Sequence, residues 1–485
     1  MKYITTIFLL VPLICFSQWA QVNNSINGSN SDFRLGFSNS ISQNGTIIAI
    51  GSQNSTNGTA GKIEVFEDNN GTWTQIGADI TGNTVGDQTG TAVSISSNGN
   101  VVAVGANGSN DIGNFTGKVS VYENINNSWV QIGNSIYGQS QDADAGRSVD
   151  LSDDGTIVAV GAPDTDTSGN FAFIGNVRIF ERQNNTWVQR GGDINGDGNA
   201  VKFGHSVSLS ADGNIVAIGQ IGDPLQGQDG RVLVYQFDGT QWNQMGSTIF
   251  GTLSGGLFGW QLSISSTGNI LAVGSYSSNE VMVFEFINGN WSQVGNTIQG
   301  ENPGDDLGFS VDISDDGTIV TAGARFFTNG SRIGRVYVFQ NQAGSWVQVG
   351  SSIQGESNGD QNGFSLSMSG NGSRISIGAI HNDSNGTDTG QVRVFENNIL
   401  NIKDTFNDNN YITIYPNPVK EYLTISSDEN IQNYTVISID GKILNKKNDI
   451  NLNNFRINME GLSSGIYMLS LENSTKKTLY KFIKE

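Results

Sequence analysis

Cysteine is nearly absent from this sequence. The single one among 485 residues is Cys15. It lies in a stretch that starts with Lys2, runs apolar from Ile4 to Phe16 and reaches the small Ser17. That pattern reads as a secretory signal peptide over residues 1–17. Ile14 stands where a lipoprotein signal takes a small residue, so no lipid anchor is expected. Beyond this leader no thiol remains, which excludes a disulfide framework; a chain of this length buries enough core without one. Histidine is almost as scarce, with His205 and His381 alone, and no Ser-His-Asp set stands at a familiar spacing. Long apolar runs are missing too, so no transmembrane helix is expected. Basic residues are few: 25 against 45 acidic ones, a formal net charge of −20. Residues 411–485 hold 9 basic and 8 acidic residues, which leaves 16 and 37 in residues 1–410, a net −21. A surface this acidic disfavours nucleic acid and anionic membranes as partners.

What the chain has in abundance is a repeat. Residues Gly308 to Gly350 show it well. Phe309, Val311 and Ile313 alternate with Ser310, Asp312 and Ser314, the period of a strand with one buried face. Asp316-Gly317 is a hairpin signal, because the favoured turn needs positive φ. Thr318 to Ala324 is apolar or small throughout and suits a strand covered on both faces. Arg335 to Phe339 and Trp346 to Gly350 supply a third and a fourth strand. The Trp-x-Gln pattern recurs at Trp19, Trp73, Trp129, Trp187, Trp242, Trp291 and Trp346, at spacings of 54, 56, 58, 55, 49 and 55 residues. First-strand glycines follow the same period at Gly36, Gly90, Gly146, Gly204, Gly259, Gly308 and Gly363. Each of the four elements occurs seven times.

The phase of the ends decides the architecture. The chain begins, after its leader, with a fourth strand at Trp19 to Val22, and the last repeat stops after its third strand at Glu396. A closed ring uses this offset, since the N-terminal strand can complete the last blade; a linear stack has no use for it. The expectation is an all-β chain: a seven-bladed β-propeller over residues 18–397, with a right-handed β-helix as the runner-up. The Gly-Phe-Ser-Val-Asp-Ile-Ser stretch, Phe203-Gly204, Phe258-Gly259 and Gly161-Ala162-Pro163 resemble the FG-GAP repeats of integrin-α-like propellers. Blades of that family often carry a calcium loop between first and second strands. Here that connection is a minimal turn, such as Asp154-Gly155 or Asp316-Gly317, too short for five or more oxygen ligands. Elsewhere Asp193-Ile194-Asn195-Gly196-Asp197-Gly198 is calcium-like. Asp193, Asn195 and Asp197 are therefore the candidate calcium ligands, and drift of a turn consensus is the other reading. No other cofactor is expected.

In a four-stranded blade the connections alternate between two faces. The first-to-second and third-to-fourth turns are short and uniform. The opposite loops are longer and differ between repeats, and function on rigid scaffolds concentrates on such loops. Phe33, Arg34, Phe171, Phe173, Arg325, Phe326, Phe327 and His381 lie there. Aromatics beside Arg are common binding anchors, so these are the candidate binding residues; packing beneath their own loops is the alternative for the phenylalanines. His205 sits where other repeats place Arg147, Trp260, Phe309 or Phe364 and reads as a packing or channel-lining residue. Acid pairs such as Asp153-Asp154 recur at turns, where Asp serves the backbone. Ser152 to Thr156 lacks a residue and the Trp of a sialidase Asp box.

After Glu396 the composition changes. Residues 398–410 are polar and out of register, a linker. Residues 411–485 show alternating segments and Gly-bearing turns, as in a small Ig-like β-sandwich. The Tyr415-Pro416-Asn417-Pro418-Val419 start, the Asp440-Gly441-Lys442 turn, the Gly465-Ile466-Tyr467 strand and the terminal Lys481-Phe482-Ile483-Lys484 resemble the type A C-terminal sorting domain of type IX secretion. The resemblance implies the type IX machinery as a partner, passage through the periplasm, and release or attachment at the cell surface. The expected function is a secreted or surface binding protein for a glycan or protein, not an enzyme. A polysaccharide hydrolase or lyase and a structural scaffold are the alternatives.

Overall fold

The computed structural model describes residues 19–29, 34–53, 59–166, 173–197, 202–222, 229–252, 257–326, 332–397, 412–438, 442–473 and 477–484. Among these residues there is no α-helix. Up to Glu396 they form seven antiparallel sheets. One of them shows the plan. Leu307–Ile313 pairs with Ile319–Ala324, which pairs with Arg335–Gln342, and Ser345–Gln348 forms the outer edge. The Asp-Gly turn is held by its own side chain: Asp316 Oδ1 accepts from Ser314 Oγ, the Thr318 N–H and Thr318 Oγ1. The second strand is buried at every position, as its apolar run requires.

One stretch differs from expectation. The Ile-x-Gly segment after each outer strand reads as connection in the sequence. In six sheets it is a second, two-residue piece of the outer strand. Ile353 pairs with Val336 and Gln354 with Arg335. The outer strand therefore bends and resumes, and the Gln of Trp-x-Gln spans the bend. Gln348 Nε2 donates to Gly350 O at 3.0 Å, and Gln131 Nε2 to Gly133 O at 3.3 Å.

The ends meet as their phase requires. Ala20–Asn27 pairs antiparallel with Gln391–Glu396, which pairs with Arg374–Ala379 and then Ser365–Met368. The first strands stand side by side in chain order, and Ser365–Met368 returns to Leu35–Ile41.

Three belts of hydrogen bonds join the sheets. At the periphery six of the seven repeat Trp indoles, all but Trp73, donate to a carbonyl of the preceding sheet: among them Trp129 to Ile76 O at 2.8 Å, Trp242 to Arg190 O at 2.8 Å and Trp19 to Val349 O at 3.1 Å. Nearer the axis, first-strand serines donate to the next first-strand glycine: Ser206 to Gly259 O, Ser310 to Gly363 O, Ser365 to Gly36 O. At the end with short turns, backbone N–H groups run turn to turn. Gln43 donates to Ser97, Ser97 to Asp153, Asp153 to Ala211, Ala211 to Ser266, Ser266 to Asp315, Asp315 to Gly370, and Gly370 back to Gln43, at 2.8–3.0 Å. These seven bonds close on themselves.

The first-strand glycine is needed for this packing. Gly308 has φ +89°, and a Cβ there would meet Glu280 O at 2.5 Å. The ladder shifts register between Leu307 and Ser310. Such a bulge re-aims the following side chain, here Phe309.

The C-terminal unit is separate in sequence and sheet membership. Ile412–Tyr415, Tyr422–Ile431 and Leu452–Asn458 form a three-stranded sheet; Ile443–Lys447, Asn433–Ser438, Gly465–Glu472 and Lys477–Lys484 form a four-stranded one. Leu423, Ile425 and Ile457 of the first pack with Val436, Leu469 and Phe482 of the second in one core.

Candidate functional site

The residue after each first-strand glycine, which follows a register shift in four of the seven sheets, places one side chain per sheet around the mouth of the central channel. A cavity of about 180 Å³ opens there, lined by all seven first strands. Four consecutive sheets contribute Trp260, Phe309, Phe364 and Phe37 to its wall; the other three contribute Thr91, Arg147 and His205. The wall is therefore two-sided, aromatic on one arc and polar on the other.

The aromatic arc is continuous. Ring centroids are 5.6 Å apart for Trp260 and Phe309, 5.0 Å for Phe309 and Phe364, and 5.2 Å for Phe364 and Phe37. Tyr276, from the short helical turn, meets Trp260 edge-on at 4.8 Å. These separations are those of interacting aromatic pairs.

The polar arc centres on Arg147. Its Nη2 lies 3.3 Å from His205 Nε2, and His205 Nδ1 lies 3.1 Å from Trp260 O. A carbonyl only accepts, so Nδ1 carries the proton and Nε2 accepts from Arg147. Burial holds the His205 pKa well below its ordinary value, and the Arg147 charge lowers it further. The imidazole is thus neutral with both nitrogens engaged.

Below the mouth, Asp150 and Asp312 take the same register position in two sheets. Asp150 accepts from Ser94 Oγ and the Leu151 and Leu209 N–H groups; Asp312 accepts from Ser263 Oγ and the Ile313 and Met368 N–H groups. Burial pushes both carboxyls up to about 6, against those hydrogen bonds. At the far end, Gln43 Nε2 donates to Asp315 Oδ2 and Ser97 Oγ to Gln43 Oε1.

The sequence-predicted residues fall in three groups. Arg325 and Phe326 border the mouth: the Arg325 guanidinium lies 3.7 Å from the Phe309 centroid and 4.3 Å from that of Phe326, and its Nε pairs with Asp306 Oδ2 at 3.0 Å. Arg34 and His381 meet at a second place, through Asp388. The Arg34 N–H donates to Asp388 O at 3.2 Å, and His381 Nδ1 is 2.8 Å from Asp388 Oδ1. Phe173 is half-buried with φ 42°. Phe33, Phe171 and Phe327 lie outside the described residues. Of the candidate calcium ligands, Asn195 is in a two-residue strand paired with Asn176. Asp193 accepts from Gln139 and Gln189, and Asp197 meets Arg231. Among the described residues no group of three or more Asp, Glu, His or Cys side chains is placed to hold a metal.

The residues that sequence reasoning passed over as a site are those directly after the first-strand glycine. Their signal was available: this position changes chemistry widely from repeat to repeat, from Phe to Thr, Arg, His and Trp, directly after an invariant glycine of the repeat.

Comparison with known families bears on the tail. Residues 413–485 match the family described as the secretion system C-terminal sorting domain. The C-terminal unit is a sorting domain. This confirms the type IX resemblance and supports export to the cell surface and a role for the type IX machinery. No helix among the described residues is long and apolar enough to cross a membrane. No curated protein matches the chain. Among solved structures, the chain is similar to hydrazine synthase from Kuenenia stuttgartiensis, with 12% identity, a TM-score of 0.51, and coverage of 76% of this chain and 97% of the other. It is also similar to a putative 6-phosphogluconolactonase from Bacteroides uniformis, with 15% identity, a TM-score of 0.51, and coverage of 74% and 95%. A putative 6-phosphogluconolactonase from Bacteroides fragilis gives 13%, 0.50, 72% and 90%. At these identities the likeness concerns the fold alone, which is all-β and propeller-like.

Proposed function

We propose that this is a secreted or cell-surface binding protein whose ligand enters the central channel at the end that carries the variable loops. In this reading the seven sheets are the blades of an FG-GAP-type propeller, the N-terminal strand closes its last blade, and an Ig-like sorting sandwich follows. A signal peptide takes the chain to the periplasm before the type IX step. The observation that carries the reading is the two-sided wall: a continuous aromatic arc faces a polar one inside a concave site. Concave sites with apolar walls and a few placed polar groups suit small ligands or the ends of chains. A sugar ring fits such a wall, with its C–H face on the aromatics and its hydroxyls on the polar side. Binding rather than turnover is supported by the state of His205, which is neutral and has no free nitrogen to move a proton.

The test is a glycan and protein array probed with the full chain, with Trp260→Ala and Phe309→Ala as companions. Hits that both substitutions remove, while thermal unfolding stays cooperative, support the channel as the site. Hits that persist in both variants move the site to the outer loops, and an absence of hits counts against binding.

A further inference from the structure

The Arg147 guanidinium has no carboxylate in contact with it among the described residues, and this bears on the ligand. Among the described residues the Arg147 side chain makes one hydrogen bond, to the neutral His205, and no ion pair. The comparison with Arg325 at the same mouth is direct, since Arg325 has its carboxylate in Asp306 at 3.0 Å. Asp144 and Asp164 attract Arg147 from beyond contact distance, and each has a nearer partner. Asp144 Oδ1 accepts from Asn107 Nδ2 at 2.7 Å, and Asp164 is paired with Lys202 at 2.9 Å. A guanidinium in a partly desolvated pocket, beside a neutral imidazole, is a receptor for a planar oxyanion. It shares the cavity with the aromatic arc, in which Phe309 is buried under the Arg325 guanidinium and Trp260, Phe364 and Phe37 stay partly exposed. Gln261 also lines the cavity, and its amide has no hydrogen-bond partner among the described residues. Anion, flat ring face and hydroxyl are thus provided for within one cavity of about 180 Å³. That volume is below the roughly 300–1,000 Å³ usual for drug-sized ligands, so it suits a single ring or a chain end.

We infer that the channel mouth binds a hexuronate, a sugar ring bearing one carboxylate. The carboxylate pairs with Arg147, the ring lies on Trp260 of the aromatic arc, and a hydroxyl reaches Gln261. A monoanion matches the single unpaired guanidinium. A dianionic phosphate ester would leave one charge uncompensated in a chain of net −20. This inference rests on the channel being the binding site and adds the class of ligand.

The experiment is calorimetric titration of the full chain with D-glucuronate, D-galacturonate, D-glucuronamide, D-glucose and benzoate. At least one uronate binds at least tenfold more tightly than glucuronamide and glucose, and more tightly than benzoate. Arg147→Met abolishes the preference for acid over amide, Arg147→Lys retains part of it, and Trp260→Ala weakens acid and amide alike. Thermal unfolding of each variant shows that it is folded. Equal binding of amide and acid, an unchanged preference in a folded Arg147→Met, or benzoate matching the uronates overturns the inference. If uronates fail while neutral glycans bind and Trp260→Ala removes them, the ligand class is wrong and the site stands. If no sugar binds and the array is blank, both fail.

Discussion

The peripheral tryptophan belt has one break, and the break can be measured. Trp129, Trp242 and Trp73 are equivalent residues of three sheets, all partly buried. Trp129 and Trp242 each donate to a carbonyl of the preceding sheet at 2.8 Å. The Trp73 Nε1 is enclosed and has no partner among the described residues. Its counterpart carbonyl would belong to the N-terminal strand, whose ladder is irregular between Val22 and Ile26. Trp→Phe at the three positions removes similar apolar area, so the packing losses cancel in the comparison. At Trp129 and Trp242 the substitution also removes a hydrogen bond, worth about 0.5–1.5 kcal/mol net. At Trp73 it removes a buried unsatisfied donor, which relieves a cost of about 1–3 kcal/mol. Trp73→Phe should therefore be milder than the other two by roughly 1.5–4.5 kcal/mol. Urea unfolding of the full chain reads this as a difference in midpoint at constant m. If Trp73→Phe costs as much as Trp129→Phe and Trp242→Phe, the N-terminal strand completes the belt and the reasoning fails.

Three further outcomes are expected. Gly308→Ala should cost several kcal/mol, whereas Gly344→Ala should cost only about 1–2 kcal/mol. Both have positive φ, but a Cβ at 308 meets Glu280 O at 2.5 Å and one at 344 meets nothing within 4 Å; denaturant midpoints give the comparison. Asp150 and Asp312 have folded pKa values of about 6, above the ordinary 3.8, so the folded state binds more protons between about pH 4 and 6. Their contribution to stability accordingly falls as pH rises through that window, by at most about 3 kcal/mol each. Asp154 and Asp212, held low by their turn hydrogen bonds, act in the opposite sense. The readout is therefore thermal midpoints of wild type minus the Asp150→Asn, Asp312→Asn double variant, and a flat difference from pH 4 to 7 refutes the assignment. Deleting residues 413–485 should leave the propeller-like unit folded and prevent its appearance outside the cell, as cell fractionation and proteolysis of the retained protein would show.

The repeat plan was legible because its physics is local. Alternation in Phe309 to Ile313, the Asp316-Gly317 turn and the uniform burial of Ile319–Ala324 each depend on a few neighbouring residues. The N-terminal strand in the last sheet followed from counting, since Trp19 precedes the first complete repeat and none follows Glu396. The two-part outer strand was not legible. Ile353-Gln354 is too short to show a period and sits among Gly and Ser, and only its pairing with Arg335 and Val336 identifies it. The site was half legible. Arg325 and Phe326 do border the mouth, but the loop rule drew attention outward. Trp260, Phe309, Phe364 and Phe37 converge only once the sheets are arranged about an axis.

The belts also explain why those inner residues can differ. Closure is carried by groups other than the mouth side chains: indole to carbonyl outside, serine to glycine carbonyl within, and backbone to backbone at the far turns. The outer and inner belts fix residue types, which is why Trp and Gly recur in every repeat and Ser in five of the seven first strands, whereas the backbone belt leaves its side chains free to vary. The residue after the first-strand glycine belongs to none of them, and in every sheet it lines the cavity. A change of side chain there leaves the three belts in place and alters the cavity directly, with His205 alone bonding a carbonyl of the next sheet. Phe, Thr, Arg, His and Trp at equivalent places are thus what a binding surface built on a repeat requires: seven independent choices on one rigid frame. The neutral His205 beside Arg147 is the pair of choices that gives this cavity its sign.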